Sequence, residues 1–321
     1  MSRVSGALQA KVEVALASDQ RADTAAVMVL RKLLEVILDN RDGALTGSDD
    51  EHLHQLRISV RRSRTVQRQF AAVFEPLELA GFRAEFRRLQ RATGEARDLD
   101  VYVTGFESMR ALVPEVIRAD LDPLRQVLAD RRLAAHGELS RALRSRRTAD
   151  LLADWEALLE SLVERAVDDR PKANEPIGRL AGHRIRRAYK RVVALGRAIG
   201  DDSPAEDYHE LRKKGKELRY LLELFGVPLF AGEVVGPLVK SLKALQDQLG
   251  RNQDREVQVA LLYSLVDEVG SLPRGSGALM AMGVLVDRLR QDEADARLQV
   301  GEQFAGFASG EQGQLVRQTF G

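Results

Sequence analysis

Long segments rich in Leu, Ala, Arg and Glu carry apolar residues at three- and four-residue spacing, and runs of alternating polar and β-branched residues are missing. This pattern predicts an all-α chain. Pro, Gly and Asp interrupt it near Thr46 to Asp50, Glu75 to Pro76, Gly94 to Asp98, Pro114, Pro171 to Pro176, Gly200 to Pro204, Gly226 to Pro228, Gly250 to Asp254 and Leu272 to Gly277. About ten or eleven helices follow, of lengths ordinary for bundles. The stretch "DDRPKANEP", Asp168 to Pro176, has two prolines and no apolar periodicity, and reads as a linker. It divides the chain into an N-terminal segment (1–20), a first helical half (21–170) and a second (171–321).

The halves repeat each other. A shift of 155 residues carries His54, Leu56 and Arg57 onto His209, Leu211 and Arg212, Arg61 onto Lys216, Arg64 onto Arg219 and Phe70 onto Phe225. One further residue of offset carries Leu89 and Gln90 onto Leu245 and Gln246, Gly94 onto Gly250, Asp98 onto Asp254 and Val101 onto Val257. Two motifs in one register over more than forty residues imply a tandem duplication, with a period far too long for a solenoid.

The segment "HQLRISVRRSRTVQRQF" sharpens the picture, because it holds five arginines and no acidic residue. At about 100° per residue, His54, Arg57, Arg61, Arg64 and Arg68 fall within an arc of roughly 80°. Leu56, Val60, Phe70 and Phe74 take another face. In the second copy His209, Arg212, Lys216 and Arg219 stand opposite Leu211, Leu218, Leu222 and Phe225, with Glu223 ending the basic row. An ordinary solvent face mixes signs at i,i+4 spacing, since like charges there destabilise a helix by a few tenths of a kcal/mol per pair. A row of like charges kept in both copies therefore points to an anion that neutralises it.

Composition makes that site local. The 321 residues carry 49 Lys and Arg against 48 Asp and Glu, so the protein as a whole attracts neither nucleic acid nor anionic membrane. A hydrophobic fraction of 44% with 30% charged residues is that of a globular chain. The absence of cysteine removes disulfides and thiolate chemistry. No apolar run suits a signal peptide, and "GALMAMGVLV" from Gly277 is too short to span a bilayer, so a cytoplasmic location and no membrane partner are expected.

Other features weigh less. "HRIRRAYKR" sets His183, Arg186, Arg187 and Lys190 on one side of a helix, and its counterpart holds Arg31 and Lys32. Arg87 corresponds to Lys243, and Arg131 to Arg288. For each of the weaker cations an ordinary surface charge explains the residue as well as a site does. His52, His136 and His183 read as packing residues. No metal is expected, because arginine neighbours oppose a bound cation. Gly94 and Gly250 suit a left-handed helix end, and Asp98 and Asp254 the N-cap of the next helix.

"HxLRxxxRxxR" and "HxLRxxxKxxRY", each followed by "LQ", a Gly and an Asp, resemble the CHAD family, the conserved-histidine α-helical domain, over roughly Arg21 to Arg297. The resemblance implies two four-helix bundles related by pseudo-twofold symmetry, whose basic faces line a groove or pore that binds inorganic polyphosphate. It implies His54, Arg57, Arg61, Arg64, His209, Arg212, Lys216 and Arg219 as ligands, with Arg87 and Lys243 from neighbouring helices. Gln253 stands where the family commonly has Arg or Asn. Some members carry a fused CYTH domain with an ExExK motif, and no ExE occurs here.

The expected function is non-enzymatic polyphosphate binding without a cofactor, with the polyphosphate granule as the place such a ligand would take the protein. Nucleic acid would use the same cations, but bases want aromatic platforms and aromatics are only 5% of residues. Another phosphorylated ligand remains an alternative. A histidine phosphorelay protein is also helical, yet its histidine needs no row of arginines.

Overall fold

The computed structural model describes residues 12–47, 49–200 and 202–321. Among these residues the regular structure is helical. The first half holds α1 (Ala22–Thr46), α2 (Asp50–Gln69), α3 (Pro76–Ala92), α4 (Gly94–Thr104), the short α5 (Phe106–Arg110), α6 (Asp122–Arg144) and α7 (Arg146–Ser161). The second holds α8 (Ile177–Ala198), α9 (Ala205–Leu221), a π-helical turn (Leu222–Gly226) running into the short α10 (Val227–Leu229), α11 (Gly232–Ser264), the short α12 (Val266–Gly270), α13 (Gly275–Phe307) and α14 (Gly310–Thr319). The short α5, α10 and α12 account for the excess over the expected number. Of the expected N-terminal segment, residues 1–11 lie outside the described residues.

Polar side chains start the helices as their chemistry requires. Asp49 caps α2 by accepting from the Glu51 amide at 2.8 Å, and Ser145 caps α7 by accepting from the Thr148 amide at 3.2 Å. At the end of α1, Gly47 takes the left-handed conformation with φ 62°, where a Cβ would be strained.

In the first half α1 packs on α2, α6 and α7, and in the second α9 and α11 pack on α8 and α13 respectively. The halves meet where α2 lies beside α9 and α6 beside α13, and one apolar core runs through both. Trp155 is fully buried, with the rings of Phe82 and Phe86 at 4.8 and 5.3 Å. Phe70 and Phe225, which the repeat aligns, meet across the junction at 4.4 Å. The apolar faces expected for α2 and α9 are the buried ones: Leu56, Val60, Leu211 and Leu218 have no exposed surface.

Two expectations fail locally, and the connecting stretch between the halves is held more closely than its composition suggests. The break at Gly250 to Asp254 is absent, because α11 continues through it. Gly94 opens α4 without a positive φ, and Asp98 and Asp254 lie inside helices rather than capping them. The stretch from Asp168 to Pro176 is docked along the start of α1: the Ala22 amide donates to the Glu175 carbonyl at 2.8 Å, and the Asp23 amide to the Ala173 carbonyl at 3.2 Å. Its anchor is Arg170, only 3% exposed, whose Nη1 donates to the buried carboxylate of Asp23 at 3.0 Å. A hydrophobic pattern has no way to register an arginine that is buried through an ion pair.

Removing one partner of a buried ion pair leaves the other charged and unsolvated. Asp23 also holds Arg21 at 2.6 and 3.0 Å, so Arg170→Ala should lower the free energy of unfolding by less than the about 3–5 kcal/mol of a fully orphaned charge, on the order of 2 kcal/mol, and adding Asp23→Asn should cost less than the first substitution. Chemical denaturation of the three proteins measures both, and an unchanged midpoint for Arg170→Ala would show that the docked stretch is not anchored there.

Candidate functional site

The two basic rows share a cleft. It lies where α2 meets α9, has a volume of about 390 Å3, and is lined by Arg61, Arg64 and Arg68 from α2, His209, Arg212 and Lys216 from α9, and Gln90 from α3. Arg61 and Lys216, the pair that the repeat aligns, stand close enough that the charge of Arg61 acts against that of Lys216. Below them the junction is closed by Phe70 against Phe225, and beside them by an ion pair of 2.7 Å between Arg62 and Glu223.

The residues that resembled helix caps hold the arginines. Arg57 donates to the Gln90 carbonyl at 3.2 Å and the Thr93 hydroxyl at 3.4 Å, with Asp98 at 3.7 Å. Arg212 donates to Asp254 at 3.2 Å. Gly94 gives Arg57 its room, since a Cβ there would lie 3.3 Å from an Arg57 nitrogen, whereas at Gly250 a Cβ would meet Arg212 at an ordinary contact distance of 3.6 Å. Asp98 and Asp254 both act on the half-buried phenol of Tyr102, whose pKa is pushed up to about 12 by partial burial and these carboxylates. The partners of the two histidines, from α4 and α11, differ as their sequences do: the charge of Arg97 acts on His54, whereas His209 Nδ1 is hydrogen-bonded to Gln253.

Residues 28–263 match the CHAD domain family. The chain belongs to the CHAD family. It is 31% identical over 223 residues to uncharacterised proteins from two strains of Mycobacterium tuberculosis, a match that covers 67% of this chain and 40% of theirs. The chain thus spans less than half the length of these relatives. The crystal structure of the CHAD domain from the plant Ricinus communis superimposes with a TM-score of 0.76 at 25% identity, over 92% of this chain and 95% of that one. PptA from Streptomyces chartreusis shares the fold with a TM-score of 0.67 at 18% identity, over 89% of this chain and 99% of that one.

The positions that resemblance to the CHAD family implied are not all in one place. Arg61, Arg64, His209, Arg212 and Lys216 line the cleft, with Arg87 beside Arg64 and His54 and Arg57 beside Arg61. Arg219 adjoins Lys216 but pairs with Glu223 at 3.3 Å. Lys243 lines a separate, more apolar cavity of about 880 Å3 with Ile58, Leu224 and the segment from Val12 to Ala15. The weaker cations disperse. Arg31 lies 4.0 Å from Glu160, Lys32 pairs with Glu35 at 2.6 Å, Arg131 bonds Glu268 across the halves at 2.9 Å, and Arg288 bonds Gln291 at 3.0 Å. Arg186, Arg187 and Lys190 on α8 do not line the cleft. Arg68 does, though it also pairs with Glu217 at 2.9 Å.

Sequence reasoning missed Lys213 and Lys214, which line the cleft, and Arg83, whose charge acts on Arg64. Arg83 could have been found four residues before Arg87 on the same face of α3. His52 and His136 pack as expected, His52 on Asn40 at 3.0 Å and His136 on buried Asp100 at 2.7 Å.

The cleft carries a positive field that its own carboxylates do not cancel. Burial lowers the Arg64 pKa, and Arg87, Arg68, Arg61 and Arg83 lower it further. Burial also lowers the His54 pKa, reinforced by Arg97, Arg61 and Arg57. Lys216 responds most. Burial, then Arg212 and Arg61, bring its pKa from 10.5 to about 7, with Asp254 opposing.

A folded-state pKa below the unfolded one contributes stability that is present at high pH and lost as pH falls. For Lys216 the loss runs from about pH 10.5 down to about 7. Lys216→Met removes the titration, so its stability relative to wild type should rise as pH falls through that window and level off below it. Denaturant unfolding at pH 6, 7.5 and 9.5 tests this, and a constant difference would show that Lys216 is not depressed.

Proposed function

We propose that the chain binds inorganic polyphosphate, without turning it over, through the cleft between α2 and α9. The observation that carries this reading is the confrontation of Arg61 and Lys216, from different helices, in a cleft edged by Arg64, Arg68 and Arg212. Opposed cations destabilise an empty site and favour an anion that reaches both helices. Successive helical turns present side chains about 5.4 Å apart, a spacing that a linear chain of phosphates can meet at nearly every step. Arginine suits it, because its planar fork bonds two oxygens at once.

The rival readings fit less well. The aromatic ring lining the cleft among the described residues is Tyr220, which is only 5% exposed and has the guanidinium carbons of Arg62 and Arg219 at 5.7 and 5.8 Å from its centre, so it offers a nucleic-acid base little surface to stack on. Hydrolysis would want carboxylates free to gather a metal ion, whereas Asp98 and Asp254 are each engaged by an arginine. A phosphorelay histidine would stand free, whereas His209 is bonded to Gln253. We place the protein in the cytoplasm, at polyphosphate granules. No helix among the described residues is long and apolar enough to cross a membrane.

The test is a titration with long-chain polyphosphate, tripolyphosphate, single-stranded DNA and ATP side by side. Long polyphosphate should bind best, because a chain that reaches both rows gains an effective concentration that a short one lacks. Arg61→Glu should weaken it by more than about tenfold, since it places a carboxylate among cations in a partly desolvated site. Lys190→Glu, outside the cleft, should leave it unchanged. Tighter binding of DNA, or equal loss from the two reversals, would reject the reading.

A further inference from the structure

The cleft holds a lysine suited to chemistry that the arginines around it cannot perform. Lys213 and Lys214, its neighbours on α9, are held by carboxylates: Lys213 by Glu210 at 2.7 Å, and Lys214 by Glu217 at 3.5 Å and Glu210 at 3.8 Å. Lys216 faces Arg212 and Arg219 of its own helix and Arg61 of α2, with the carboxylate of Asp254 in α11 as the opposing charge. Lys216 is half-buried and lines the cleft of about 390 Å3, which is large enough to admit a small molecule. With a pKa of about 7, roughly half of this amine is neutral at pH 7, whereas an ordinary lysine is almost wholly protonated. An amine desolvated beside other cations is the recognised way of making lysine a nucleophile at neutral pH.

We infer that Lys216 is a modification site for small acyl phosphates, whose phosphate end docks on Arg61, Arg64 and Arg212 while the Lys216 amine attacks the acyl carbon. This rests on reading the cleft as a phosphate site. The amine lone pair forms the C–N bond, the bond from the acyl carbon to the phosphate oxygen breaks, and phosphate leaves with that electron pair. The nitrogen gives up one proton to water, and no oxidant or metal is needed. The product is a neutral amide at the middle of the basic cleft, so acylation removes a charge that a bound polyanion would meet. Polyphosphate and the acyl group thereby compete for one position.

The experiment treats the full chain, free of polyphosphate, with acetyl phosphate at pH 7.5 and follows each lysine by mass spectrometry. The larger free-amine fraction outweighs the lower intrinsic nucleophilicity of a weaker base, so Lys216 should react at least about tenfold faster than Lys213 and Lys214, although Lys213 is more exposed. Acetic anhydride, which has no phosphate to dock, should show a smaller preference for Lys216. Long-chain polyphosphate should protect Lys216 selectively. A rate for Lys216 no greater than those of its neighbours overturns the inference, even if polyphosphate binds well in the titration. Equal preference with both reagents overturns the docking step. Preferred reaction at Lys216 without binding of, or protection by, polyphosphate supports the inference and rejects polyphosphate as the ligand.

Discussion

Arg61 and Lys216 repel each other across the line where the two halves meet, and the surrounding structure is arranged to hold them there. Like charges in a partly desolvated cleft oppose the approach of α2 and α9 by an amount that grows as the local dielectric falls. What draws the helices together lies beside the cations and beneath them. The rings of Phe70 and Phe225 meet at 4.4 Å, Arg62 reaches across to Glu223 at 2.7 Å, and Gln69 bonds Glu217. The same carboxylate group takes Arg68 at 2.9 Å, so Glu217 joins the helices while offsetting the edge of the basic row. Contacts made by apolar rings and by acids outside the row allow the cations at its centre to remain uncancelled.

A second layer fixes where the cations point. Arg57 and Arg212 are each tied to a carboxylate on a neighbouring helix, and Gly94 leaves room for the guanidinium of Arg57. These two arginines contribute positive field from set positions, whereas Arg61 and Lys216 line the cleft with neither in an ion pair among the described residues. The histidines at the head of each row differ in kind. His54 lies under the charges of Arg97, Arg61 and Arg57, and His209 is held by Gln253, so the two rows differ at the helical residue that precedes the aspartate.

Much of this was legible in the sequence. The helical class, the buried faces of α2 and α9 and the two basic rows follow from a 3.6-residue period, which is a property of one helix taken alone. The family resemblance followed from the same motifs. The remainder depends on how helices are placed against one another, and no single period encodes that. Gly250 and Asp254 read as a break because a glycine followed by an aspartate usually ends one helix and starts another, yet both lie within a continuous α11, where Asp254 takes Arg212. Arg170 read as part of a linker because nothing local shows that Asp23, far off in the chain, will bury it. Lys243 aligned with Arg87 but lines another cavity, since the segment from Val12 to Ala15 adds a wall there that the repeat does not contain.

The central claim is that an uncancelled cation pair waits for an anion, and Lys216 makes the claim measurable through its proton. An amine with a pKa of about 7 in the empty cleft should become fully protonated when a polyanion reverses the field, so binding should take up protons. Calorimetric titration of long-chain polyphosphate in two buffers of different ionisation enthalpy measures that uptake, and the difference between wild type and Lys216→Met isolates the lysine from the ligand's terminal phosphates. The account predicts that the difference is small at pH 6 and rises to nearly one proton, on the order of 0.9, at pH 8. No difference between the two proteins at pH 8, with both still binding, would contradict it.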